Sequence, residues 1–164
     1  MWVAGENAEL ILARLEGFLK AFEWFNHKSN HGCSYFVLPL PDAASLPEAL
    51  AARFGLPPSA FRVEPLADMD GELRAVFARF LLLFQEPHGD HLIDPERSFS
   101  LSHDFGRAGL LEELAGVVRS LGARAAWRVA PPPECGELRE WCFQDDVALE
   151  LPGRRCLLHF GVSD

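Results

Sequence analysis

Apolar residues recur every three or four positions along several stretches of this chain, which is the spacing of a helix with one buried face. The clearest stretch covers residues 7–25, with an apolar stripe made of Ile11, Leu15, Phe18, Leu19 and Phe22. Residues 107–121 repeat the pattern, and Gly122 follows as a helix-ending glycine. Ser45 is suited to cap a shorter helix that ends near Phe54. The pattern therefore predicts three amphipathic helices.

Other stretches have the composition or the alternation of strands. Residues 35–40 are apolar on both sides, as in a strand inside a sheet, and residues 61–64 and 123–129 predict two further strands. Residues 147–151 and 156–162 alternate on either side of a Pro-Gly turn, which is typical of a hairpin. In that hairpin Cys156, Leu158, Phe160 and Val162 face inward, whereas Arg155 and His159 lie on the other face.

Residues 72–86 fit two interpretations. As a helix, the segment is capped by Asp70 and carries an apolar stripe that consists of Leu73, Val76, Phe77, Phe80, Leu81 and Phe84. As a strand, it follows a hairpin turn at Asp70-Gly71 and places Val76, Phe80, Leu82 and Phe84 on one face. The content of Ala, Arg, Glu, Gln and Leu favours the helix.

These elements together predict an α+β fold. Helices with one apolar stripe and strands with short connections suit three to four helices packed on a mostly antiparallel sheet. A chain of 164 residues has the length of one domain. The sequence therefore predicts a single two-layer α+β domain over residues 1–164.

The charge balance narrows the classes of partner. The chain has 15 basic and 24 acidic residues, a net charge of −9, which disfavours nucleic acid and anionic membranes. It favours a protein partner with a basic surface, or solubility alone. The four cysteines form no C-x-x-C pair, and the first residues lack the pattern of a signal peptide. These features predict a cytoplasmic protein with reduced cysteines.

One acidic stretch near the end of the chain also carries aromatic residues. The candidate partner-binding residues in this stretch are Glu137, Glu140, Trp141, Phe143, Asp145 and Asp146. Aromatic side chains supply much of the binding energy of interfaces, and surrounding carboxylates steer a basic partner. In the alternative interpretation, Trp141 covers the core while the acidic side chains face water.

Histidines and aspartates are concentrated in residues 88–104. The candidate ligands of a divalent metal are His88, Asp90, His91, Asp94, His103 and Asp104. Imidazole and carboxylate groups are what a catalytic metal site needs, but the spacing matches no established ligand motif. A solvated polar loop is the alternative. Ser102, His103 and Asp104 have the residue types of a hydrolytic triad, but consecutive side chains point in different directions and cannot form one. Asp104 or Ser102 is instead predicted to cap the following helix.

A second small cluster consists of His27, His31 and Cys33. Its polar surroundings favour a turn, with a metal or thiolate site as the alternative.

Two functional hypotheses follow. The first is a protein-binding domain without a cofactor, such as a bacterial inhibitor or immunity-type protein that caps a basic partner. The second is a metal-dependent hydrolytic enzyme that uses residues 88–104.

Overall fold

The computed structural model describes residues 8–28, 32–81 and 104–163. These residues form four longer helices, one single-turn helix and five strands. The elements in chain order are α1 (Ala8–Lys28), β1 (Gly32–Leu40), α2 (Leu46–Phe54), β2 (Arg62–Pro65), α3 (Met69–Phe80), α4 (Asp104–Ser120), β3 (Ala125–Ala130), α5 (Gly136–Arg139), β4 (Phe143–Leu151) and β5 (Arg154–Ser163). A short 3-10 helix, Pro58–Ala60, precedes β2.

The five strands form one sheet in the order β1-β5-β4-β3-β2, and every neighbouring pair is antiparallel. The predicted hairpin at Pro152-Gly153 joins β4 to β5, and Leu151 pairs with Arg154 next to the turn. Gly153 has a φ of 72°, a left-handed conformation that glycine adopts without steric cost. The predicted α+β fold with helices on an antiparallel sheet is confirmed.

The larger part of the core lies between one face of the sheet and helices α1, α3 and α4. The stripe Ile11, Leu15, Leu19 and Phe22 packs there with Leu73, Phe77 and Phe80 of α3 and Leu114, Val117 and Val118 of α4. The alternate residues of the hairpin, Val147, Leu149, Cys156, Leu158, Phe160 and Val162, form the floor of this cluster. Burial of these stripes is the main driving force that holds the helices on the sheet.

The opposite face of the sheet is also covered. Leu46, Ala49 and Leu50 of α2 and Leu138 of α5 pack on a second apolar cluster of sheet residues. The side chains that alternate away from the first core therefore enter a smaller second core. This cover has a direct consequence for polar residues on that face, because they lose access to water.

The ambiguous segment 72–86 is helical as far as the structure describes it. Helix α3 ends at Phe80, and Leu81 is the last described residue before position 104. The predicted cap at Asp70 is wrong, because Asp68 caps the helix by accepting the N–H of Gly71 at 3.0 Å. Asp70 instead lies in the first turn of the helix and pairs with arginine side chains.

The predicted cap of α2 is confirmed. Ser45 accepts the N–H of Glu48, and the Glu48 carboxylate accepts the N–H of Ser45 in return. This reciprocal arrangement satisfies amide groups that the first helical turn leaves open. Gly55 then ends the helix with a φ of 68°. Helix α4 begins at Asp104, a little before the predicted residue 107.

None of the helices in the described ranges is both long enough and apolar enough to cross a bilayer.

Candidate functional site

The hairpin of β4 and β5 brings an acidic and a basic side chain together inside the protein. Asp146 lies directly opposite His159 in the strand register, and Nδ1 of the imidazole is 2.8 Å from Oδ1 of the carboxylate. Asp146 is 1% exposed and His159 is fully buried. A charged or polar pair at this depth requires internal partners, since water does not reach it.

The immediate neighbours of this pair come from β1 and β4. Phe36 lies opposite His159 in the pairing of β1 with β5, and its ring stacks on the imidazole with centroids 4.6 Å apart. Gln144 donates from its side-chain amide to Oδ2 of Asp146 at 3.4 Å. The second carboxylate oxygen of Asp146 therefore has a hydrogen-bond donor as well. That donor, Gln144, is half-buried and lies near the start of β4.

Burial and pairing act on Asp146 in opposite directions. Burial raises the pKa of Asp146 above its ordinary value near 3.8, and the hydrogen bond from His159 partly offsets this rise. Nε2 of His159 has no hydrogen-bond partner among the described residues. An unpaired buried polar atom costs about 1–3 kcal/mol. Because the imidazole is fully buried, this geometry supports an internal contact between the two strands.

Asp145 points to the opposite face of the sheet and has different partners. It is 7% exposed, and its carboxylate lies 3.2 Å from Nε of Arg128 and 3.4 Å from Nη1 of Arg79. Arg128 belongs to β3 and Arg79 to α3, so the carboxylate joins a strand to a helix. Arg128 also lies near Glu72, at 3.6 Å.

The sequence predicted that Asp145 and Asp146 lie on a solvent-exposed acidic surface, and that prediction is wrong. Asp145 and Asp146 alternate across a sheet that is covered on both faces, so both carboxylates are buried. Their role in binding a partner stays a prediction. The interior location makes direct contact with a partner unfavourable in this conformation.

Trp141 packs against strand β5. It is half-buried and lies against Gly161 of β5, where a β-carbon would overlap the indole ring. Glycine therefore opens the space that the indole occupies, a close approach that no other residue permits. The interpretation of Trp141 as a core-covering residue agrees with this contact.

Phe143 and Glu140 are at the surface. Phe143 is 63% exposed, the highest value among the exposed large apolar side chains of the described residues. Glu140 follows α5 and is exposed, as is Cys142. Glu137 lies within α5, and its side chain is outside the described part of the structure.

The predicted metal ligands cannot be compared with the structure. His88, Asp90, His91, Asp94 and His103 lie outside the described residues, and so does the side chain of Asp104. Among the residues that the structure describes, no three His, Cys, Asp or Glu side chains form a group able to hold a metal ion. The metal-dependent alternative therefore stays a prediction.

In the cluster of His27, His31 and Cys33, the His27 side chain contacts the backbone of Cys33. Nε2 of His27 is 3.0 Å from the carbonyl oxygen of Cys33. His27 lies within α1 and Cys33 within β1, so the prediction that the turn begins at His27 is wrong. Cys33 is buried, whereas His31 lies outside the described residues.

The sequence did not identify the partners of the two aspartates. The turn at Pro152-Gly153 sets the hairpin register, so counting outward from it places His159 opposite Asp146. That pairing was available from the sequence. Arg79 and Arg128 left no comparable signal, because their contacts with Asp145 depend on how α3 and β3 pack in space.

A comparison of this chain with protein families, with curated proteins and with solved structures found no match.

Proposed function

We propose that this chain is a protein-binding domain whose contact surface is centred on Phe143 and whose partner presents a basic surface. The exposure of Phe143 is the observation that carries the proposal. It is the first residue of β4, and residues 145–149 of the same strand are all buried. A large aromatic side chain left at the surface by a well-packed strand is a common anchor of protein interfaces.

The nature of the partner follows from charge. The chain carries a net charge of −9, and Glu140 lies three positions from Phe143 with its side chain exposed. The interior carboxylates of Asp145 and Asp146 already have cationic or polar partners. The acidic side chains that steer a partner are therefore the exposed ones, and Glu140 is the one that lies within three positions of Phe143.

Further exposed apolar side chains agree with a protein partner in preference to a small molecule. Within the described ranges, the other large apolar residues that are more than one-third exposed all lie on α1: Leu10, Phe18, Trp24 and Phe25. Surface apolar groups of this size are often found at protein interfaces. A stoichiometric inhibitor or immunity-type protein is one concrete form of the proposal, since it requires a contact surface and no catalysis.

The test compares variants with the same change of charge. Immobilised protein is exposed to lysate of the source organism at about 50 mM and about 500 mM salt, which alters the Debye length more than threefold. We expect the wild type to retain a basic protein at low salt and release it at high salt. The variant E140K/F143S should weaken that complex by at least about tenfold.

E113K is the matched control. Glu113 is exposed on α4 and its replacement changes the net charge as E140K does, so the affinity should stay within about twofold of the wild type. Failure to retain any salt-sensitive basic protein would contradict the proposal. If E113K bound the partner as weakly as E140K/F143S, the interaction would be a nonspecific charge attraction, which also contradicts the proposal.

A further inference from the structure

Strand β1 forms one edge of the sheet. It pairs with β5 along its full length, from Gly32 to Leu40, and no strand among the described residues pairs with its outer side. An outer strand edge of this length, nine residues, is a template for the addition of another strand unless its amide and carbonyl groups are protected.

Two side chains of α1 form hydrogen bonds with backbone groups on this outer edge. The carboxylate of Glu23 accepts the N–H of Tyr35 at 2.7 Å, and the imidazole of His27 donates to the carbonyl of Cys33 at 3.0 Å. Backbone groups alternate in direction along a strand, so Cys33, Tyr35 and Val37 all point their amide and carbonyl groups away from β5.

The cap at Tyr35 is held in position by a further contact. Lys20 lies one turn before Glu23, and its ammonium group is 2.8 Å from the same carboxylate oxygen that accepts the amide. The buried stripe of α1, which includes Leu19 and Phe22, fixes the helix over the sheet. Packing of the helix and the contact with Lys20 thus both position the Glu23 carboxylate at the outer edge of β1.

We infer that Glu23 and His27 are edge caps that keep β1 from pairing with β1 of a second copy of this chain. The inference does not depend on the proposed partner surface, because it rests on the contacts of Glu23 and His27 with the backbone of β1 and does not use Phe143 or Glu140. Capping by side chains is a way to protect an edge without another strand.

A second copy is the partner that fits the outer edge. An antiparallel pairing centred on Tyr35 places Cys33 opposite Val37 of the second copy, and each of these residues has both an N–H and a C=O. Pro39 lies beyond this segment and has no N–H, so it limits pairing to the part of the edge that the caps protect.

The test removes the caps. E23A/H27A should remain folded by circular dichroism, and analytical ultracentrifugation should show about twice the mass of the wild type under the same conditions. The amide of Tyr35 should then exchange more slowly with solvent, because a strand of the second copy covers it. E23Q/H27Q retains an acceptor and a donor, so its mass should equal that of the wild type.

Adding V37P tests the register. The N–H of Val37 points outward, so proline removes a donor that the strand of the second copy needs, and E23A/H27A/V37P should return to the mass of the wild type. A folded E23A/H27A variant with unchanged mass would overturn the inference. So would a dimer that V37P does not affect. If the double variant does not fold, E23A alone gives the same two outcomes.

Discussion

Asn26 donates its side-chain amide to the hydroxyl of Tyr35 over 2.9 Å in the interior of the protein. The same amide lies 3.0 Å from the carbonyl of Phe80, which also accepts the Tyr35 hydroxyl at 2.5 Å. The contact joins the end of α1, the start of β1 and the end of α3. Burial raises the pKa of Tyr35 above its ordinary value, so the phenol keeps its proton and remains a donor.

The substitution N26A should destabilise the fold, because it leaves buried carbonyl groups with fewer donors. We expect a loss of about 1–3 kcal/mol, measured by urea unfolding at neutral pH. Y35F should show a loss of similar size, since it removes the hydroxyl shared by the same contact. E16A, an exposed change on the same helix, should stay within about 0.5 kcal/mol of the wild type.

The pair of Asp146 and His159 should behave as a coupled unit. Removing either side chain by substitution with alanine should cost about 3–5 kcal/mol, because it leaves the other buried without its partner. The double variant D146A/H159A should lose less than the sum of the two single variants, by about 0.5–3 kcal/mol. Equal values for the double variant and the sum would show that the contact makes no net contribution.

The same pair should give the stability a characteristic pH dependence. Because the folded protein raises the pKa of Asp146, protonation of this carboxyl favours folding, and its contribution is complete below about pH 3.8. That contribution is lost as the pH rises through the folded-state pKa. The unfolding free energy of the wild type should therefore fall relative to that of D146N as the pH rises from about 3.8 through the folded-state pKa of Asp146.

Gly161 and Gly17 should respond in opposite directions to substitution with alanine. G161A forces the indole of Trp141 to move, so we expect a loss of about 1–3 kcal/mol and a shift in tryptophan fluorescence. Gly17 is exposed in the middle of α1, and a β-carbon there meets no atom within 4 Å. G17A should stabilise the protein by about 0.5–1 kcal/mol through its higher helix propensity. Equal destabilisation of both variants would contradict the described packing.

Four side chains, two of them exposed and two half-buried, join α3 to α4. Arg119 contacts Asp70 at 2.6 Å and Glu112 at 2.5 Å, and Arg74 contacts the same two carboxylates. Hydrogen bonds from Arg119, and then from Arg74, lower the pKa of both carboxyl groups. Titration followed by NMR should show both midpoints below the ordinary range, and both should rise in R119Q and in about 1 M salt.

The stability that this network contributes has the opposite pH dependence to that of Asp146. A carboxyl group with a lowered pKa stabilises the fold above its unfolded-state value, and this contribution disappears as the pH falls through the folded-state pKa. The difference between the wild type and R119Q should therefore shrink in acid. A difference that grows in acid would contradict the contacts of Asp70 and Glu112.

Local patterns in the sequence determined much of the architecture. The stripe of α1, the capping box at Ser45 and the turn at Pro152-Gly153 each depend on residues only a few positions apart, and the structure contains all three. The prediction is wrong only for Phe18 of the stripe, which is 39% exposed. Periodicity reports which face of an element is apolar. It therefore predicted the helices, the hairpin and the α+β class.

The tertiary structure decided what lies against the second face of the sheet. Helices α2 and α5 cover that face, and this cover turns His159 from a residue on the outer side of a strand into a fully buried partner of Asp146. Asp145 is buried for a similar reason, because Arg79 and Arg128 reach it from distant parts of the chain. Alternation along a strand shows that two side chains point in opposite directions, but the access of each to water depends on contacts distant in sequence.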